Sequence, residues 1–194
     1  LSEKNIADIL NLFKSGSGKK IDLPEGYEYL LNNPARTSGN VGDNLICLNV
    51  NGAGLADYFE GWYKSNDEDK TVISTITGEK GEQITLKGLW NKEKLDKYYY
   101  SAELGFEVDS SDGNVATVSS WTGTGDKVII PEIYKVESTE YKVNAIGDSV
   151  FEDSDIKTIL NHAKDYSIGE KAFKGTDLES FDFSSAIAIG SNAF

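Results

Sequence analysis

Apolar positions along this chain follow more than one spacing, and each spacing predicts a different element. Ile6, Ile9, Leu10 and Phe13 fall at i, i+3, i+4 and i+7, one face of an amphipathic helix over residues 1–14. Ser2 is placed to cap it and Gly16-Ser17-Gly18 to end it. Residues 20–44 are turn-rich, with one short element expected near 27–31. Strands are predicted at 45–50, 58–63, 72–76 and 84–90, between loops rich in Gly, Asn and Asp. Residues 91–97 are charged and poor in apolar groups, which marks a domain boundary. After it, 98–108 and 115–121 read as strands around an Asp112-Gly113 turn. Val128-Ile129-Ile130-Pro131, then 134–136 and 141–143, continue the β pattern.

The last part of the chain repeats. Ile146-Gly147-Asp148-Ser149-Val150-Phe151 returns as Ile168-Gly169-Glu170-Lys171-Ala172-Phe173 and again as Ile189-Gly190-Ser191-Asn192-Ala193-Phe194, at steps of 22 and 21 residues. A period of this length is the mark of a solenoid, whose coils bury their apolar faces against one another. Ile146, Phe151, Ile168, Phe173, Ile189 and Phe194 are the expected repeat core. Ile156, Ile159 and Leu160 return 22 residues on as Leu178, Phe181 and, one position off, Phe183. Each coil is therefore expected to hold one short strand and one Ile-Gly…Phe corner. The expected architecture is mainly β with some α: an N-terminal module over 1–96, then a repeat domain over 97–194 whose segment 97–140 is a hairpin cap. The missing initial Met and the stop within the third copy lead us to expect part of a longer protein.

Composition narrows the chemistry. The net charge is −13, and 97–194 carries 8 Lys/Arg against 17 Asp/Glu. Such a surface repels phosphate backbones and anionic lipid, so nucleic acid is not an expected partner. No apolar run approaches the length of a membrane span. With one Cys and one His in the chain, zinc sites and Cys-His or Ser-His-Asp catalysis are not expected. Cys47 lies in an apolar run and reads as a buried small hydrophobe. His162 lies in a polar turn between repeats and reads as structural or solvent-exposed, not catalytic. Asn66-Asp67-Glu68-Asp69 and the acidic residues between Asp148 and Asp155 are oxygen-rich but lack EF-hand spacing; solvated loops are the better reading. No catalytic, cofactor or metal residue is assigned. Tyr98, Tyr99, Tyr100 and Trp121 are the candidate binding surface, because Tyr and Trp are favoured at binding hot spots. The competing reading has these rings covering the join between domains.

Two resemblances add to this. Phe59-Glu60-Gly61-Trp62-Tyr63-Lys64, followed by Ile73-Ser74-Thr75-Ile76 and Ile84-Thr85-Leu86-Lys87-Gly88-Leu89-Trp90, resembles the Listeria–Bacteroides repeat, or internalin B-repeat, over 55–90. That implies a small β-grasp-like spacer or binding module. Val128-Ile129-Ile130-Pro131 and Tyr141 to Phe151, with the recurring Ile-Gly…Ala-Phe, resemble BspA-type leucine-rich repeat proteins over 104–194. Val150 stands where that family has Ala, and 161–166 replace its usual Pro-containing link. The resemblance implies a non-enzymatic, extracellular or cell-surface bacterial protein that binds a protein or glycan ligand in adhesion or host interaction. The alternatives are a carbohydrate-binding surface module, or the non-catalytic part of a larger secreted hydrolase.

Overall fold

The computed structural model describes residues 27, 55–73 and 86–194. The expected helix over 1–14, the loops over 20–44 apart from Tyr27, the strand over 45–50 with Cys47, and residues 74–76 of the third expected strand lie outside them. The chain divides into two compact units, Leu1–Lys92 and Glu93–Phe194. Secondary structure among the described residues is mainly β, with one short α-helix.

In the first unit, β1 (Phe59–Lys64) pairs antiparallel with β2 (Leu86–Trp90). Rings explain the pairing. Phe59 stands edge-on to both Trp62 and Trp90, at 5.3 and 4.9 Å between centroids, and both tryptophans are buried. Gly61 breaks the register of β1 at φ 142, and a Cβ there would lie 2.5 Å from Val72 Cγ1. Ile73 bridges to Trp62, donating its N–H to the Trp62 carbonyl at 2.8 Å.

The second unit opens with helix α1 (Lys92–Tyr98), formed by the charged segment expected to be a bare joint. Its Leu95 is fully buried, so one apolar anchor among charges is enough to dock it. Tyr98 ends this helix and Tyr99 and Tyr100 follow it, so the expected strand over 98–108 is confined to β3 (Leu104–Asp109). The remaining strands are β4 (Val115–Trp121), β5 (Lys127–Ile130), β6 (Ile133–Val136), β7 (Thr139–Ile146), β8 (Thr158–Asn161), β9 (Tyr166–Ile168), β10 (Ser180–Phe181) and β11 (Ala186–Ile189). They form a long sheet in the order β11-β9-β7-β4-β3, with β6 paired to β7, and a short sheet in the order β10-β8-β5.

Each coil thus contributes two strands, not the single one expected. Ile146, Ile168 and Ile189 each end a strand of the long sheet, and the Ile-Gly…Phe segment turns from there toward the short sheet. Tyr166–Ile168 is only three residues long, too short for alternation to announce it. The solenoid also begins one coil earlier than the sequence repeat. Val118 aligns with Ile146, Ile146 with Ile168, and Ile168 with Ile189, all in parallel register. In the short sheet Val128 aligns with Ile159 and Ile159 with Phe181. So β4 and β5, expected within the cap, are the first coil; β7 and β8 are the second, and β6 folds back antiparallel on β7 between them.

The core lies between the two sheets, around Val118, Val128, Ile130, Val143, Ile146, Phe151, Ile159, Tyr166, Ile168 and Phe173. Four of the six expected core residues are buried; Ile189 and Phe194 are 52% and 56% exposed. Their counterparts are covered by the coil stacked on them, and β11 has β9 on one side only.

Candidate interaction surface

The corner between the sheets shows why the repeat has its sequence. Gly147, Gly169 and Gly190 donate their N–H groups to the carbonyls of Val118, Ile146 and Ile168, at 2.7 to 2.8 Å. In the other direction Ser149 and Lys171 donate to Glu170 and Ser191, and Phe151 and Phe173 to Ala172 and Ala193. These bonds pull the coils together at the glycine. A Cβ on Gly169 would sit 2.6 Å from the Gly147 carbonyl carbon and the Asp148 nitrogen, both of them backbone. Ser149, Lys171 and Asn192, at one repeat position, all have φ 54. Beneath the corners the rings stack: Phe151–Phe173 and Phe173–Phe194 are each 5.3 Å between centroids.

Trp121 belongs to this stack. Its ring lies 6.1 Å from Phe151 and takes the Phe position of the first coil. Its Nε1 is buried without a hydrogen-bond partner, so the side chain expected to greet a ligand is instead the first rung of the ladder. The three tyrosines part company. Tyr98 donates its hydroxyl to Glu140 Oε1 at 2.6 Å, which holds the Glu140 carboxyl below its ordinary range. Tyr99 is buried. Tyr100 stands edge-on to Phe106 and Tyr134, themselves stacked at 4.2 Å; partial burial raises its hydroxyl pKa. Tyr100 therefore packs against the core of the second unit, and the buried Tyr99 is unavailable to a ligand.

The outer face of the long sheet offers a different surface. Thr117, Ala145, Ser167 and Ala188 align across β4, β7, β9 and β11. They alternate with buried neighbours such as Val118, Ile146 and Ile168, so they face outward. At the usual spacing of about 4.8 Å between strands, the row runs for roughly 14 Å with no long side chain standing on it. Along one side of the row, past the C-terminal ends of β7 and β9, exposed Asp148 and Glu170 follow the corner glycines, and Asp148 Oδ1 accepts the Glu170 N–H at 2.7 Å. Along the opposite side Lys142 pairs with Asp165 at 3.3 Å. No spacing argument on one strand could have found this row, because it exists only once four strands are in register.

Lysines of the second unit are widely committed. Lys174–Glu152 at 2.9 Å and Lys157–Glu179 at 3.9 Å join successive coils, while Lys164–Glu132 at 2.8 Å ties the second coil to the β5–β6 link. Glu152 is held below its ordinary pKa chiefly by the hydrogen bond from Lys174, and Lys174 is raised in turn. With these cations paired, the surplus carboxylates set the sign of the surface. The acidic loop of the first unit is also committed locally: Asp67 accepts the N–H groups of Asp69 and Thr71 at 3.1 and 2.9 Å. The Thr71 bond is the main cause of its lowered pKa. Among the described residues no group of three or more His, Cys, Asp or Glu is placed to hold a metal ion, and no helix is long and apolar enough to cross a membrane.

Neither a protein-family model nor a curated relative matches the chain. Among solved structures it is similar to a leucine rich cell surface protein from Faecalibacterium prausnitzii A2-165, with 24% identity and a TM-score of 0.40 over 50% of this chain and 27% of that one. It is also similar to a leucine-rich repeat protein from Bacteroides capillosus ATCC 29799, with 22% identity and a TM-score of 0.34 over 47% of this chain and 63% of that one. The chain thus spans about a quarter of the first and less than two thirds of the second. The solenoid assignment stands on the parallel registers and the corner hydrogen bonds of this chain.

Proposed function

We propose that the second unit is a non-enzymatic binding scaffold of an extracellular or cell-surface bacterial protein, and that it engages an extracellular protein through the outer face of the long sheet. The observation that carries this reading is the row Thr117–Ala145–Ser167–Ala188. It is a flat, neutral strip on a hydrogen-bonded frame, flanked by carboxylates, and a partner's backbone approaches such a strip closely because nothing stands on it. The acidic flank and the surplus of carboxylates favour a basic partner surface. The resemblance to BspA-type repeat proteins supports the same role. For the first unit, the resemblance of 55–90 to the internalin B-repeat supports a spacer module. The glycan-binding reading is weakened by the burial of Tyr99 and by the packing of Tyr98, Tyr100 and Trp121.

The test is a screen of the full chain against arrays of extracellular-matrix proteins and of glycans, followed by the Thr117→Arg/Ser167→Arg variant. Binding to a protein that this variant weakens at least tenfold, with the circular dichroism unchanged, is the expected result. Binding to glycans alone, silence on both arrays, or a variant that binds as well as the parent would overturn the proposal.

A further inference from the structure

The end of helix α1 is fixed to the short sheet. Leu95 is fully buried. The Ser101 N–H donates to the Ile129 carbonyl at 3.1 Å, and the Ile129 N–H donates to Ser101 Oγ at 2.9 Å. The Glu132 N–H reaches the Asp96 carbonyl at 3.4 Å. The tip of the β6–β7 hairpin is held less firmly. Tyr134 is packed, stacked on Phe106 and edge-on to Tyr100, but Lys135, Val136, Glu137 and Ser138 are exposed. Glu137 turns the chain at φ 55, a left-handed conformation unfavourable for a non-Gly residue. Segments with few buried contacts open at the low end of a protein's range of local stability.

One side-chain cluster ties this tip to α1. Tyr98, the last residue of the helix, donates its hydroxyl to Glu140 Oε1 at 2.6 Å. That is the length of a charge-assisted O–H···O⁻ bond. Lys97 Nζ lies 3.6 Å from Glu140 Oε2, so the two helix residues take one carboxylate oxygen each. Lys97 also sits over the Tyr98 ring, 4.9 Å from its centroid. From β6, Lys135 stands directly across from Glu140 in the antiparallel register and adds a third attraction. Tyr98, Lys97 and Lys135 thus face this carboxylate from both neighbouring elements, and all three favour its charged form.

We infer that Glu140, gripped by Tyr98 and Lys97, is an acid-released clasp that fastens the tip of the β6–β7 hairpin to α1. Ionised, the carboxylate accepts the phenol hydroxyl and attracts both lysines. Protonated, it forfeits the charge on which all three attractions depend. The Glu140 pKa lies below its ordinary value, chiefly because of the Tyr98 hydrogen bond. A depressed folded-state pKa fixes the sign. The clasp contributes fully above the unfolded-state value of about 4.3 and is lost as pH falls through the folded value. The helix stays docked, because Leu95 and the bonds between Ser101 and Ile129 involve no group that titrates in this range.

Hydrogen exchange of the amides of residues 135–140, corrected for intrinsic rates and read in the full chain, tests the clasp. At about pH 6, Glu140→Gln keeps the shape of the side chain and removes its charge, and it should accelerate that exchange roughly twofold or more. Tyr98→Phe should do the same, and the double variant should add little to either, because both act on one interaction. The ratio of Glu140→Gln to parent should shrink toward one as pH falls from about 6 to about 3. Glu137→Gln, which neutralises a neighbouring carboxylate of the same tip, should exchange like the parent, and the α1 amides should keep their protection in every variant. Tip amides indifferent to Glu140→Gln, a ratio that does not change with pH, additive effects of the two single variants, or the same acceleration in Glu137→Gln would overturn the clasp.

Discussion

Gly169 and Gly190 sit where the backbones of successive coils come closest. A Cβ there meets the backbone of the preceding coil at 2.6 Å, which no side-chain rotation relieves, whereas at Gly147 the nearest atom is the Val118 carbonyl oxygen at 3.1 Å. Gly169→Ala is expected to destabilise the second unit by about 1–3 kcal/mol, as overpacking does, and Gly147→Ala by less. Thermal unfolding of the two variants checks the order. Two positions on, Lys171 holds the same left-handed φ of 54 that Ser149 and Asn192 adopt at their corners. A non-Gly residue there is strained by about 1–2 kcal/mol, and Asn tolerates the conformation better than Lys. Lys171→Asn should therefore raise stability by up to about 1 kcal/mol; its exposed pair with Glu170 at 3.6 Å is too weak to offset the gain. An unchanged or lowered midpoint in denaturant would refute it. Ile-Gly…Ala-Phe was legible as a repeat, but the left-handed residue inside it was not. Ser, Lys and Asn share no chemistry, and only the backbone path reveals what they have in common.

Stacked rings join the elements. Phe151 is fully buried between Trp121 and Phe173. Phe151→Ala is expected to cost about 3–5 kcal/mol. Trp121→Phe should cost under about 1 kcal/mol: it gives up some buried ring but also removes an N–H with no acceptor. Calorimetry on the pair separates the two cases. A Trp121→Phe loss as large as that of Phe151→Ala would mean that the indole does more than fill the first rung. Trp121 was expected among binding residues because Trp is favoured at hot spots, and its place in the stack was hidden because its coil lacks the repeat signature. Ser119 follows Val118 where Gly follows Ile elsewhere, and the ring comes three residues later instead of five. The helix was missed for a similar reason: one Leu among charges carries no periodicity.

At the scale of the whole molecule, charge is the dominant unbalanced quantity. The chain carries −13, and the inter-coil ion pairs are exposed, each contributing little. Self-repulsion should therefore exceed what those pairs return. Raising NaCl from about 10 to 300 mM shortens the screening length, and the midpoint of the second unit should rise by roughly 2–4 °C, equivalent to about 0.5 kcal/mol for a unit of this size. A midpoint that falls with salt would show instead that the Lys–carboxylate lattice dominates. The sequence by itself determined that this chain stacks coils, because a period near 22 residues with Gly and Phe at fixed places has no other economical way to bury its apolar face. It also determined the acidic surface, since charge is additive and independent of fold. Only the tertiary structure decided where the solenoid begins, that each coil holds two strands, and that three of the four aromatic candidates are packed by neighbours while Tyr99 is buried. It alone aligned Thr117, Ala145, Ser167 and Ala188 and brought Glu140 to Tyr98, because such contacts join residues whose separation along the chain carries no periodic signal.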